Sequence, residues 1–335
     1  MIESVAGFTV AKIIAVTFIG IALGLFYKGL DRRIAARMQA RIGPPVSQPF
    51  RDIKKLMMKE NIVPKYAVRW IFNLMPFVSL VTTILILLYL PMAGLSPVLE
   101  GSGDLILILY MLIFPSLAMV MGGFSSGSPY ATVGAQREMV TMISYEFPLA
   151  ITIVSIASLL YAANPAIVVF SLSAISQNLV WSLVGPAGTL GLGLLFVVML
   201  WVMPGELGAI PFDSAEAETE LAGGALVEYS GRNLALFYLS HAVKLIVIGS
   251  LVIALFIPFG ISNFLGMQGL QGMFADAGFY LLKLFLVIFA GSTFIRVAVA
   301  RFRITQIVKT YWGYSTIIAL IGMALIWIDM LVRLI

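Results

Sequence analysis

The sequence contains no cysteine and a single histidine, His241, among 335 residues. Without thiolates the chain holds no iron–sulfur cluster or copper–thiolate site of its own. With one imidazole it cannot ligate haem through two of its own histidines. Charge is scarce as well: Asp, Glu, Lys and Arg make up 11% of the residues, against about a quarter in soluble domains. No nucleophile triad, phosphate-binding loop or metal-ligand spacing is present. The glycines of GTLGLGLL, residues 188–195, lie in an apolar helical context. Such glycines serve helix packing and are not a dinucleotide fingerprint.

What is abundant is apolar, 61% of the chain. A run of about 20 apolar residues crosses a bilayer as a helix. Such runs recur eight times, at roughly 5–27, 71–92, 104–123, 139–162, 188–205, 233–257, 278–299 and 311–333. The expected fold is therefore all-α: a polytopic transmembrane helix bundle forming one membrane domain over residues 1–335. The N-terminal run is too long for a signal peptide and follows an acidic start, so it reads as the first span. The interrupted apolar segment 165–181 is expected to lie at the surface or to dip in. No internal repeat is visible, against the plan of inverted-repeat transporters.

Basic residues orient the bundle. The connection between spans one and two carries eleven of them, including Arg32, Arg41, Arg51, Lys54, Lys55 and Lys59. With the connections after spans three, five and seven, it holds seventeen of the 21 Lys and Arg residues. The three alternate connections, 93–103, 163–187 and 258–277, hold none. The positive-inside rule then puts the basic connections in the cytoplasm and both termini outside, in a multi-pass plasma-membrane protein. The net charge of +5 follows this asymmetry and does not indicate nucleic-acid binding. Within the first connection, PFRDIKKLMMKE sets Phe50, Ile53, Leu56 and Met57 on one helical face. It reads as a short amphipathic helix in the lipid interface. That helix either anchors the chain to anionic lipid or roofs a cavity beneath a docked partner.

The stretch 206–232, ELGAIPFDSAEAETELAGGALVEYSGR, holds six carboxylates: Glu206, Asp213, Glu216, Glu218, Glu220 and Glu228. Acids gathered at a membrane are costly and need a reason. A helix starting at Pro211 would place Asp213, Glu216 and Glu220 on one face and Glu218 opposite. Repulsion and burial would then raise their pKa values and let neighbours share protons. The competing reading is a solvated acidic loop or a set of helix-capping acids. Glu146, Glu138, His241, Lys244, Lys12 and Lys283 lie within or near spans. Intramembrane ionisable groups usually face protein or water and pair with one another. His241 and Lys244, three residues apart, share a face. Pro148 is expected to break the helix beside Glu146 and free backbone groups to hold water.

Three segments resemble the H subunit (subunit 1) family of respiratory complex I and its relatives in membrane-bound [NiFe]-hydrogenase complexes. They are ARIGPPVSQPFRDIKKLMMKEN at 40–61, GAQREMVTMISYEFPLAI at 134–151 and ELGAIPFDSAEAETELAGGALVEYSG at 206–231. The resemblance implies a non-catalytic membrane anchor for a peripheral electron-transfer arm, forming the mouth of a carboxylate proton path. That path would use Asp213, Glu216, Glu218, Glu220 and Glu228, with Glu146 deeper. Arg41, Gln48, Phe50, Asp52 and Lys55 would face the peripheral arm. Implied partners are a [NiFe]-hydrogenase-like large subunit, a small iron–sulfur subunit, and antiporter-like and small membrane subunits. This chain itself would bind no cofactor or metal; the Fe–S clusters and the [NiFe] centre would sit in the partners. Ala209 stands where quinone-reducing members usually carry arginine, and Pro45 where they carry asparagine. These departures favour a ferredoxin-linked, hydrogenase-like complex over a quinone oxidoreductase of the complex I type. An autonomous proton-coupled transporter is the third reading.

Overall fold

The computed structural model describes residues 2–163 and 170–334. Eight helices in it are long and apolar enough to span a membrane. The first four are α1 Ile2–Met38, α3 Arg69–Tyr89, α4 Asp104–Ser125 and α5 Pro129–Ala163. Next come α7 Pro186–Glu206 and α9 Gly231–Phe256. The seventh span joins α11 Gly269–Ile288, a π-helical turn Phe289–Phe294 and α12 Ile295–Ala298. The eighth joins α13 Ile304–Val308, a π-helical turn Lys309–Ser315 and α14 Thr316–Leu334. Short helices α2 Gln48–Met58, α6 Leu172–Gln177, α8 Glu218–Leu221 and α10 Ser262–Leu265 lie between them. Helices are the form in which such apolar chains satisfy every backbone group away from water.

All eight spans fall where expected, but several run further than the apolar pattern. Helix α1 continues to Met38 instead of ending near 27, and α5 begins at Pro129 instead of near 139. The added turns carry Lys28, Asp31, Arg32 and Arg37 on α1 and Arg137 and Glu138 on α5. Charge ends an apolar run, yet it does not end a helix. Arg137 and Glu138 are thus well inside α5, not at its cytoplasmic end. Pro148 likewise does not break α5, which continues through it to Ala163. A proline removes one backbone hydrogen bond, and packed neighbours hold the helix together around the loss.

Helix α9 is the axis of the bundle. In its most apolar window 94% of residues are buried, because α1, α3, α7 and α11 surround it and α2 and α6 cap its ends. Every polar side chain on α9 therefore needs an internal partner. Ser240 bonds Ser79 of α3 at 2.8 Å, and Ser250 bonds Tyr280 of α11 at 2.6 Å. Helices α7 and α14 approach closely where Gly191 meets Gly322, leaving no room for a side chain at Gly191. This is the packing role expected for the 188–195 glycines.

The connections separate onto two faces. Residues 91–100, 173–177 and 258–260 meet around one cavity. On the other face Ile62 N–H donates to Ser230 Oγ at 3.0 Å, and Phe302 N–H to Pro211 O at 3.0 Å. This second face gathers the basic connections. Of the segment 165–181, residues 165–169 lie outside the described residues. The remainder dips inward: Leu172, Ile175 and Val180 are fully buried, and Trp181 Nε1 donates to Phe256 O at 2.6 Å. The amphipathic helix forms as α2, with Pro49 buried and Ile53 and Leu56 half-buried. Phe50 and Met57 remain exposed.

Candidate functional site

The acidic stretch does not form the helix expected from Pro211. Residues 207–217 are irregular, and only Glu218–Leu221 makes a helical turn. The reason lies in what the segment buries. Phe212, Ala215 and Ala217 are at 1–3% exposure and pin the chain against the bundle. Phe212 packs on Tyr311 at 4.6 Å between centroids. Positive φ angles at Ala222, Gly223 and Gly224 then fold the strand back. Ala225 N–H donates to Ala215 O at 3.2 Å, and Gly224 lies so close to Ala215 that no Cβ fits there. Tyr229 closes the loop by stacking on Phe72 at 4.1 Å and donating to Phe72 O at 3.1 Å. Burial pushes its phenol pKa up.

This loop sorts its acids. Asp213 is gripped by Arg301, whose Nε reaches Oδ1 at 2.8 Å and whose second amine reaches Oδ2 at 2.5 Å. Glu220 is exposed and accepts from Arg137 at 2.6 Å. That hydrogen bond, then the Arg137 charge, holds its carboxyl below the usual range. Glu218 is exposed and Glu228 half-buried, three residues before α9. Glu216 differs from the rest: burial pushes its pKa up to about 7. The charge of Glu138 adds to this, Lys28 of α1 opposes it, and Asp213 and Glu218 add smaller contributions. Asp213, Glu216 and Glu220 thus have three separate environments and share no helical face.

Beneath Glu216 is a buried acid–base cluster. Glu138 on α5 is 4% exposed. Lys244 Nζ on α9 lies 2.7 Å from Glu206 Oε2 at the end of α7. Lys244 also donates to Ser116 Oγ at 3.2 Å, and Ser116 Oγ is 3.1 Å from Tyr145 Oη. His241, Glu138, Glu206, Lys244 and Ser116 line one cavity with room for about one water molecule. Glu206 Oε2 has its ion-pair distance but no partner along a hydrogen-bond direction. A buried oxygen in that state suits a bridging water. The structure thus brings together Glu138, His241 and Lys244 from the sequence-predicted set.

Glu146 lies two turns further along α5, half-buried, within electrostatic reach of Glu206. Glu206, Ser116, Tyr145 and Tyr311 were not among the expected site residues. Glu206 stands one residue past the apolar run 188–205, which made it look like a span boundary. Its carboxylate is inside because Leu207 and Gly208 turn the chain over it. Ser116 and the two tyrosines carry no signal in a sequence of apolar helices.

Among the residues expected to face a peripheral arm, Gln48 Nε2 donates to Asp52 at 2.8 Å, and Arg32 pairs with Asp52 at 3.2 Å. Asp52 therefore ties α2 to α1. Phe50 and Lys55 are exposed. Arg41 lines an open cleft of about 340 Å³ with Arg32, Arg296, Pro44 and Ile210. Among the described residues, no group of three or more His, Asp or Glu side chains is placed to hold a metal ion.

Fold and site together define a polytopic helical membrane protein with a buried acid–base cluster under a sorted acidic loop. The family described as NADH dehydrogenase matches residues 10–327, and this chain belongs to it. It is 35% identical to hydrogenase-4 component C of Escherichia coli K12 over 254 residues, 76% of this chain and 77% of that protein. It is 28% identical to the H subunit of the F(420)H(2) dehydrogenase of Methanosarcina acetivorans, covering 98% of this chain and 93% of that one. Among solved structures, a chain of the membrane-bound sulfane sulfur reductase, an archaeal respiratory membrane complex, superimposes with TM-score 0.78 and 30% identity. That match covers 95% of this chain and 98% of the other.

Proposed function

We propose that this chain is the membrane-anchor and proton-coupling subunit of a multisubunit respiratory complex of the membrane-bound hydrogenase type. The observation that carries this reading is the continuity from Glu216 in the loop to Glu138, and on to the Glu206–Lys244 pair. A carboxyl with a pKa near 7 exchanges protons readily at neutral pH. Below it, acid, amine and hydroxyl groups sit around a space for one water. Such a file passes a proton inward when charge changes at its mouth.

The charge change would come from a docked partner, since this chain has no thiolate ligands for a cluster. A hydrogenase-like large subunit and a small iron–sulfur subunit would sit over α2, the acidic loop and the Arg32–Arg41 cleft. Antiporter-like and small membrane subunits would continue the path laterally. The basic face would be cytoplasmic and the termini outside, in the plasma membrane. Glu138, Glu206, Glu216 and Lys244 would be the working groups, with His241 and Glu146 beside them. Asp213 and Glu220 would hold the loop in shape, and Glu218 and Glu228 would shape the field at its mouth.

Purification of the complex tests the reading. It predicts co-purifying subunits with [NiFe] and Fe–S cofactors, and a Glu216→Gln variant that assembles and transfers electrons but pumps fewer ions. Ion transport by the isolated chain in liposomes would favour the autonomous-transporter reading instead. A second reading, a quinone-site subunit, draws on the open cleft at Arg41 and on relatives named as H subunits of NADH-quinone oxidoreductases. Tightly bound quinone with quinone-dependent turnover would establish it; Ala209 argues against it.

A further inference from the structure

The proton file occupies one half of the bundle. The other half contains a separate polar system that the proposed function does not use. On the face away from the acidic loop, a cavity of about 330 Å³ opens among the connections 91–100 and 258–260 and helices α6 and α11. Lys283, Asp276, Tyr280, Glu100, Ser176 and Gln177 supply its polar lining.

Lys283 is 7% exposed. Its ammonium donates to Ile257 O and Phe259 O, each at 2.8 Å, just past the C-terminus of α9. A cation there meets carbonyls that the helix leaves unpaired. The rings of Phe259 and Phe279 flank it at 5.4 and 5.1 Å. Two acceptors leave the third N–H of an ammonium for the cavity. Asp276, one carboxylate on the cavity wall, is already turned to Ser262, accepting from its N–H at 2.8 Å and its hydroxyl at 2.7 Å. A purely structural helix cap needs neither a cavity nor hydroxyls leading inward from it, and both are present. Tyr280 lines the cavity and bonds Ser250 of α9 at 2.6 Å, one step deeper.

Ser250 lies six residues beyond Lys244 on α9, about 9 Å along the axis. The residues between are apolar and buried: Ile246, Val247 and Ile248 are at 0–2% exposure, and Leu251 beyond them is at 0%. A cationic group at the foot of each polar system, with a thin dry layer between them, is the arrangement of two half-paths meeting at a closed gate.

We propose that this cavity is the outer vestibule of a proton path through the subunit itself, with Lys283 as the proton-exchanging group at its foot. Water in the vestibule is the proton donor and acceptor. The inner half rests on the proton-file reading above; the vestibule stands on its own geometry.

The cysteine-free sequence gives a direct test. Ala254→Cys at the cavity wall, Gln177→Cys at its rim and Leu251→Cys in the dry layer are placed singly in the intact complex in sealed vesicles. A small, charged, membrane-impermeant thiol reagent is added to one side, and modification of this chain is read by mass. The vestibule predicts labelling at 177 and 254 from the outer side only, with none at 251. Lys283→Met is predicted to lose pumped ions per electron while assembly and electron transfer persist, and Lys283→Arg to stay charged without exchanging protons and to fail equally. Labelling at 177 but not at 254, or a lipid headgroup that blocks 254 until detergent strips it, would overturn the vestibule. Wild-type pumping in Lys283→Met would overturn the role of Lys283. If Glu216→Gln stops pumping and Lys283→Met does not, the vestibule fails alone; if neither matters, the inner proton file fails as well.

Discussion

Lys244 and Glu206 form an ion pair of 2.7 Å, with side chains 4% and 3% exposed, although they come from different helices 38 positions apart in sequence. The pair joins the end of α7 to the middle of α9, directly beneath the acidic loop. Two charges that deep contribute little net stability, since desolvation offsets their attraction. The pair's position in the cavity with Glu138 and His241 is better explained by charge handling than by stability.

A double-mutant cycle separates the two roles. Removing one member of a buried pair strands the other charge and costs about 3–5 kcal/mol. Lys244→Met or Glu206→Gln alone should therefore lower the thermal stability of the purified complex. The double variant should recover most of that loss. Pumping should stay lost in all three variants. Restored pumping in the double variant would make the pair structural.

Glu216 makes a pH prediction. Its folded pKa of about 7 lies above the ordinary 4.5, so folding disfavours its charged form. Its neutral form costs nothing below pH 4.5, and the loop loses stability as pH rises from there through 7. The full difference corresponds to about 3 kcal/mol for a buried carboxyl, less here because the side chain is only partly buried. Hydrogen exchange of residues 207–230 should speed up across that window in the wild type and stay flat in Glu216→Gln.

The two surface-side acids should behave differently from each other. Asp213 is clamped at two points by Arg301, and charged hydrogen bonds are worth about 1.5–3 kcal/mol each at most. Asp213→Asn should expose the 207–230 loop to limited proteolysis. Glu220→Gln breaks an exposed pair and should leave the cleavage rate near that of the wild type. Equal effects would mean that Arg301 does not anchor the loop.

Much of the fold was legible because membrane helices follow from run length and charge asymmetry. All eight spans and the amphipathic α2 could be read that way. The site was legible only in part. Glu138, His241 and Lys244 stood out as charges among apolar residues, and the structure brings them together. The loop geometry was not readable, because Arg301 lies 88 residues from Asp213 and Arg137 lies 83 from Glu220. Those long-range pairs, with the burial of Phe212, Ala215 and Ala217, override the local helical pattern of PFDSAEAETEL. Glu206 was hidden for a different reason: a charge next to an apolar run looks like the membrane surface whether it turns outward or inward.

The most direct test of the proton file is the number of ions moved per electron pair by the intact complex carrying Glu138→Gln, in sealed vesicles. Glu138 is the group between the loop and the Glu206–Lys244 pair, and glutamine keeps its shape while removing its proton exchange. A working proton file predicts an assembled complex that transfers electrons and moves few or no ions. Wild-type ion movement per electron pair in that variant would contradict it.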